Sequence, residues 1–331
     1  RYLLVDASNT FFRARHVAAR GSDQWTKLGF AIHLTISGIH KAIKDLGGDH
    51  VVFCLERRSW RKDFYDPYKR NRQAARESMT DDQAEEDKLF YEAYDEMCAF
   101  FRDKTNCTVL KVERAEADDC IARWIALHPD DEHVIISSDS DFHQLITDKV
   151  SQFNGINNEW IMLNGVFNDR MKPVKDKKTG EQKTIGDPKF VLFEKIMRGD
   201  GSDNVMSAYP GVRTKGTKNK VGLQEAFADM GKKGYNWNNM MLQRWTDPDG
   251  VEHRVLDDYE RNRQLIDLTA QPDELKAAFD AEIKTQAQHK IQGQVGSHLL
   301  KFCGKYDLVR ISEQATSYAE WMKRGYEGHL L

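Results

Sequence analysis

Nine carboxylates stand where the chain passes from apolar runs into polar turns: Asp6, Glu56, Glu116, Asp118, Asp119, Asp139, Asp141, Asp200 and Asp203. Three close the short runs Tyr2 to Asp6, Val51 to Glu56 and His133 to Asp139. Others come close together, in Glu116-Ala117-Asp118-Asp119, Ser138-Asp139-Ser140-Asp141 and Asp200-Gly201-Ser202-Asp203. Each alone has an ordinary explanation as the cap of a turn or an acid in a helix's first turn. Gathered at the ends of neighbouring strands they do not, because like charges repel and burial disfavours each one unless cations neutralise it or its pKa rises. Oxygen donors without a nearby Cys or His pair suit Mg²⁺, with Mn²⁺ able to substitute, rather than zinc. Two such ions about 3.5–4 Å apart stabilise the attacking and leaving oxygens of a phosphodiester displacement and lower the pKa of the attacking water. Phosphodiester hydrolysis is the chemistry these residues predict.

A second group is basic. Arg57, Arg58, Arg61, Lys62, Lys69, Arg70, Arg72 and Arg76 are interleaved with Trp60, Phe64, Tyr65 and Tyr68. Cations bind phosphates and rings stack on unpaired bases. The plainer alternative is a solvated basic helix paired with the acidic stretch at residues 80–87. Arg213, Lys215, Lys218 and Lys220 form another basic cluster in the stretch from Tyr209 to Gly222. The net charge of −3 over 331 residues conceals this segregation, and local fields count for more than the sum.

These groups need a scaffold. The apolar runs at Tyr2, Val51 and His133, with a further strand expected from Thr108 to Val112, alternate with helical patterns over residues 27–46, 84–101 and 117–127. That alternation predicts an α/β fold with a mostly parallel central sheet flanked by helices. Ligands bind beyond the carboxyl ends of such strands, where Asp6, Glu56 and Asp139 fall. The lysine-rich segment 171–188 reads as an exposed hairpin or loop. A domain boundary is expected at its end, dividing residues 1–187 from a mainly helical part, 188–331, with helical patterns over 190–197, 256–268, 272–286 and 297–302. Trp237, Met240, Met241 and Trp245 are expected in its core. The five cysteines show no zinc spacing and read as reduced, packed thiols. No apolar run reaches membrane-spanning length and no signal-peptide pattern opens the chain, so a cytoplasmic monomer is expected.

Val5-Asp6-Ala7-Ser8-Asn9, Tyr68-Lys69-Arg70-Asn71-Arg72, Glu116-Ala117-Asp118-Asp119, Ser138-Asp139-Ser140-Asp141-Phe142-His143-Gln144-Leu145 and Gly199-Asp200-Gly201-Ser202-Asp203-Asn204 occur in the order of one known group. In them the chain resembles the 5′-nuclease superfamily of flap endonucleases, polymerase I 5′-nuclease domains and phage 5′-exonucleases, and most of all the ribonuclease H type of T-even bacteriophages. The resemblance implies a PIN-like 5′-nuclease fold. It implies one metal on Asp6, Glu56, Glu116 and Asp118, a second on Asp139, Asp141 and Asp200, and Asp119 and Asp203 acting through water. Glu56 departs from the family's usual Asp. Residues 57–88 would form an arch, mobile without DNA, with Lys69 and Arg72 as phosphate clamps and Tyr68 stacking on a terminal base. Residues 199–230 would form a helix-turns-helix that binds duplex, where added residues between Gly211 and Val221 leave a K⁺ site open. His143 would be structural. The implied substrates are branched or nicked DNA and RNA–DNA hybrid, with RNA primers or flaps removed in phage replication, and the implied partners are a single-stranded DNA-binding protein and a sliding clamp. The alternatives are a PIN-type ribonuclease and a DNA-binding relative without catalysis.

Overall fold

The computed structural model describes residues 1–18, 23–288 and 291–327. Seven strands form one sheet: β1 (Tyr2–Asp6), β2 (His50–Cys54), β3 (Thr108–Leu110), β4 (His133–Ile136), β5 (Val150–Asn154), β6 (Glu159–Met162) and β7 (Gly165–Asn168). Their spatial order is 3-2-1-4-5-6-7. The first five are parallel, and β6 and β7 add an antiparallel hairpin at one edge. Strands β1, β2 and β4 are buried at every residue, as expected where helices cover both faces of a parallel sheet.

The helices are α1 (Ala7–Ala18), α2 (Gln24–Leu46), α3 (Arg61–Phe64), α4 (Arg70–Glu77), α5 (Asp81–Lys104), α6 (Ala117–Leu127), α7 (Pro188–Arg198), α8 (Leu223–Asp229), α9 (Tyr235–Met241), α10 (Val255–Ile266), α11 (Asp273–Ala287), α12 (Val295–Tyr306), α13 (Val309–Glu313) and α14 (Ala315–Met322). Local signals set their ends. The Asp23 carboxylate accepts from Thr26 N–H at the start of α2, and Thr80 and Gln83 form a capping box at the start of α5. Asp187 caps α7 with Pro188 in its first turn, and Gly199 ends it at φ 74°. A Cβ at Gly199 would lie 2.5 Å from the Val205 carbonyl oxygen, so only glycine makes the turn that delivers Asp200.

Three apolar clusters hold the molecule together. Helices α1, α2 and α5 cover one sheet face with Phe11, Ile36 and Phe101, and α12 and α14 join them through Leu299, Phe302 and Trp321. On the other face α6 and α11 contribute Trp124, Ile121 and Phe279. A third cluster, with Phe193, Trp237, Met240, Met241 and Tyr259, belongs to α7–α10 and includes Tyr68. The division expected at residue 187 is therefore not the division of the core. Helices α11, α12 and α14 return to the two faces of the sheet, because their apolar stripes find their partners there, whereas residues 193–266 pack mainly among themselves. This part is helical apart from the small hairpin of β8 (Arg244–Thr246) and β9 (Glu252–Arg254).

Strands β5 to β7 lie in a stretch where no strand was expected. Segment 171–188 is exposed with a hairpin pairing of Lys175 and Gln182, in agreement with the sequence. All five cysteines are free and buried. No helix among the described residues is long and apolar enough to cross a membrane.

Candidate active site

The parallel pairing of β1 with β4 sets Asp6 beside the Ser137–Asp139 turn. Asp6 is 6% exposed. Its Oδ1 accepts from Asn9 N–H at 3.2 Å and its Oδ2 from the Ser137 hydroxyl at 3.0 Å. Asn9 Oδ1 in turn accepts from the backbone and hydroxyl of Ser138, so the two strand ends are bound together. Burial, reinforced by the charge on Glu56, pushes the Asp6 carboxyl up to about 7. Glu56, two residues beyond β2, is exposed on the rim of the same cleft.

Helix α6 starts behind this rim. Glu116, Asp118 and Asp119 place one carboxylate oxygen each within 4.8 Å of one another. Burial and the neighbouring charges of Asp119 and Glu116 push Asp118 well above the usual carboxylate range. Asp139 caps a 3₁₀ turn by accepting from Asp141 N–H at 3.0 Å. Burial, opposed by Lys195, brings Asp141 up to about 6. Beyond Gly199, Asp200 accepts from Ser202 N–H at 2.8 Å and from its hydroxyl at 2.6 Å. Burial would raise Asp200, but Lys195 and Ser202 outweigh it and bring the carboxyl down to about 2.

Eight of the nine acids expected at the site, Asp6, Glu56, Glu116, Asp118, Asp139, Asp141, Asp200 and Asp203, line one cleft of about 1200 Å³. Asp119 lies beneath it, fully buried, and both its oxygens accept from Arg61, at 2.8 and 3.0 Å. An all-oxygen set in which burial and like charge raise Asp6 and Asp118 fits a hard divalent cation and lacks the sulfur or imidazole that zinc favours.

Cations are built into the cleft. Lys69 pairs with Glu116 and lies 3.6 Å from Asp203, and Arg72 reaches Asp203 at 2.6 Å. The segment carrying both is laced to the Asp200 turn: Lys69 N–H donates to the Asp203 carbonyl, Asn71 to the Ser202 carbonyl, and Asn204 to the Pro67 carbonyl. Glu116 accepts from Ser59 at 2.6 Å, Arg61 at 2.9 Å, Tyr68 at 3.0 Å and Lys69. Burial would raise its carboxyl, but Lys69 and Arg61 bring it down to about 2. Arg57, Arg58, Lys62 and Arg76 line the same cleft.

Two residues expected to touch DNA do not face it. Arg61 is fully buried against Glu116 and Asp119, and the Tyr68 ring is buried with its hydroxyl on Glu116 and Asp203. In this structure both are buried with their donors committed to carboxylates, so neither presents a free group to the cleft. Arg70 is exposed, lies outside the cleft lining and pairs with Asp66. The expected arch is correspondingly narrower: Ser59, Trp60, Arg61 and Tyr68 are packed, and only α4 and the residues up to the start of α5 are exposed throughout.

Arg213, Lys215, Lys218 and Lys220 are exposed in the loop before α8. The loop is closed by Glu225, which accepts from Gly216 N–H and Gly222 N–H at 2.9 Å each. A Cβ on either glycine would come within 2.6 Å of backbone. His143 is partly buried, and burial holds its imidazole below the usual range.

Sequence reasoning missed Lys195, which pairs with Asp141 and, at 2.8 Å, with Asp200. Phe193, Ile196 and Met197 are the buried positions of α7, and at about 100° per residue Lys195 falls about 150° from their mean direction, so a helical projection carried the signal. Arg13 and Lys111 also line the cleft and were missed.

Comparison with known proteins gives a consistent result. The family model for the 5′-3′ exonuclease N-terminal resolvase-like domain matches residues 1–173. Ribonuclease H of enterobacteria phage T4 is 29% identical over 189 residues, 54% of each chain, so the match spans about half the length of that relative. A 5′-3′ exonuclease of Bacillus subtilis is 27% identical over 285 residues, 81% of this chain and 83% of the relative. Among solved structures, zinc-bound T5 5′-exonuclease superposes with a TM-score of 0.59 at 18% identity, over 86% of this chain and 99% of that one. A T5 D15 flap endonuclease complex with DNA and metal ions gives 0.54 at 16% identity, over 96% and 99%. These superpositions establish the fold.

Proposed function

We propose, because the chain belongs to the 5′-3′ exonuclease family, that it is a Mg²⁺-dependent structure-specific 5′-nuclease with 5′-to-3′ exonuclease, RNase H and flap endonuclease activity. The observation that carries this reading is the convergence of eight carboxylates and a set of fixed cations on one cleft. The names of the T4 ribonuclease H and of the T5 flap endonuclease bound to DNA support RNA–DNA hybrid and flap DNA as the substrate class; nicked DNA as a further substrate, and the removal of primers and flaps in phage replication, belong to the proposal. In that setting a single-stranded DNA-binding protein and a sliding clamp would be its partners.

Asp6, Glu56, Glu116 and Asp118 would hold one ion, and Asp139, Asp141 and Asp200 the other, with Asp203 acting through water and Asp119 positioning Arg61. Once bound, the two ions supply an activated water and charge stabilisation at the leaving oxygen. The chain supplies the rest. Lys69 and Arg72, at the cleft mouth, bind the non-bridging oxygens of the scissile phosphate and neutralise charge that develops there. Arg57, Arg58 and Lys62 hold the neighbouring phosphates. Arg213, Lys215, Lys218 and Lys220 grip the duplex from the loop that Glu225 closes. Whether that loop also takes K⁺ is decided by whether K⁺ raises duplex affinity beyond what Na⁺ does at equal ionic strength.

The test is cleavage of a 5′-flap DNA with Mg²⁺, with and without EDTA. Cutting should require the metal, and Asp139→Asn should bind the flap without cutting it. Metal-independent cutting, or an active Asp139→Asn variant, would overturn the assignment.

A further inference from the structure

Helix α7 carries two functional faces. Lys195 meets the acids of the catalytic cleft, while Lys189, Leu192, Phe193 and Ile196, spaced i, i+3, i+4 and i+7, form a separate stripe whose centre lies about 110° round the helix. On that side α9 and α10 close a second cavity of about 500 Å³ with an apolar floor that includes Leu192, Trp237, Met241 and Tyr259. Its rim is basic, with Lys189, Lys233, Arg254 and Arg263.

Two of the four rim cations are unspent. Its two acids, Glu260 and Asp267, both turn towards Arg263, at 3.7 and 3.9 Å. Arg254 approaches Asp257 only at 3.9 Å, and Lys189 and Lys233 make no ion pair among the described residues. Leu242, 60% exposed, carries the apolar floor out onto the surface. An apolar pocket continued by an exposed leucine and edged by Lys189 and Lys233, which make no ion pair among the described residues, is the complement of an acidic segment bearing a bulky apolar side chain.

We propose that this groove docks an acidic peptide segment of a partner protein, with a large apolar side chain seated in the cavity and flanking aspartates or glutamates on the rim. The volume has room for a large apolar side chain together with an apolar neighbour. A small anion would leave Leu242 in water. A nucleic-acid backbone would satisfy the rim and leave the apolar floor uncovered.

The probe is a fluorescein-labelled peptide of about twelve residues, aspartate and glutamate around a central Phe-Leu pair, titrated with the full chain and followed by anisotropy. Saturable binding is expected. It should weaken by about tenfold or more with Leu242→Glu, with the pair Lys189→Glu and Lys233→Glu, and when Phe-Leu in the peptide becomes Ser-Ser. Cleavage of 5′-flap DNA and the melting temperature should stay unchanged in these variants, since all three positions are exposed or partly exposed and outside the catalytic cleft. The proposal is overturned by absence of saturation up to about 1 mM peptide or by equal affinity for the Ser-Ser peptide. It is also overturned by displacement of the peptide by duplex DNA at the concentration that fills the cleft, which would make the groove a nucleic-acid surface.

Discussion

Removing the charge of Asp6 should stabilise the metal-free protein while destroying its chemistry. Asp6 is buried with Glu56 nearby, and its carboxyl is raised from 3.8 to about 7. A group whose folded pKa is raised favours the folded state fully below its unfolded pKa and loses that advantage as pH climbs through the folded value. Each pH step of one between those two values removes about 1.4 kcal/mol, so in the absence of metal ionised Asp6 costs about 4 kcal/mol at pH 8. About 2–3 kcal/mol of that penalty develops between pH 5 and pH 8. Asn at this position keeps the shape and can still accept from Asn9 N–H, so Asp6→Asn should melt higher than the parent chain in EDTA at pH 8. The difference should shrink steadily towards pH 5. Thermal unfolding followed by circular dichroism in EDTA across that range reads it directly, and added Mg²⁺ should reverse the ranking by stabilising only the parent chain. A pH-independent difference, or a variant less stable at pH 8, would refute the reasoning that repulsion and burial are stored at this carboxylate.

Three further outcomes follow from the same geometry. Lys195→Met removes the ammonium between Asp141 and Asp200, so Mn²⁺ should bind the second site more tightly in a paramagnetic-resonance titration; unchanged or weaker binding would show that Lys195 does not compete with the ion. Arg61→Met leaves the fully buried Asp119 without its charged partner, while Glu116 keeps Lys69, and should cost about 3–5 kcal/mol in urea unfolding, whereas a stable variant that had lost DNA affinity would return Arg61 to the binding surface. Lys69→Ala and Arg72→Ala should each slow flap cleavage by about 10²–10³-fold, with a much smaller effect on flap affinity, and unaltered single-turnover rates would remove them from the mechanism.

The site was legible in the sequence to the extent that it is built from strand ends. Asp6, Glu56 and Asp139 close apolar runs, and parallel pairing puts such residues side by side whatever the connections between them. Glu116 and Asp118 were legible because an acidic first turn sits in front of an amphipathic helix. Lys195 was not, since its partners lie 54 and 5 residues away in the chain and only the packing of α7 brings both to it. Arg61 and Tyr68 were misread for a related reason. Arginine and tyrosine between aromatic residues describe a nucleic-acid surface and a buried polar network equally well, and the choice depends on which carboxylates lie underneath.

The sequence by itself determined the alternation of strand and helix, the acids at the strand ends and the basic character of residues 57–76, because these depend on local periodicity and charge. The tertiary structure alone decided that helices α11, α12 and α14 return to the sheet, that Arg61 and Asp119 form a buried base under the cleft, and that Lys195 stands between two acids. Those outcomes depend on which apolar faces find each other across long separations, and a one-dimensional pattern records the faces without recording their partners.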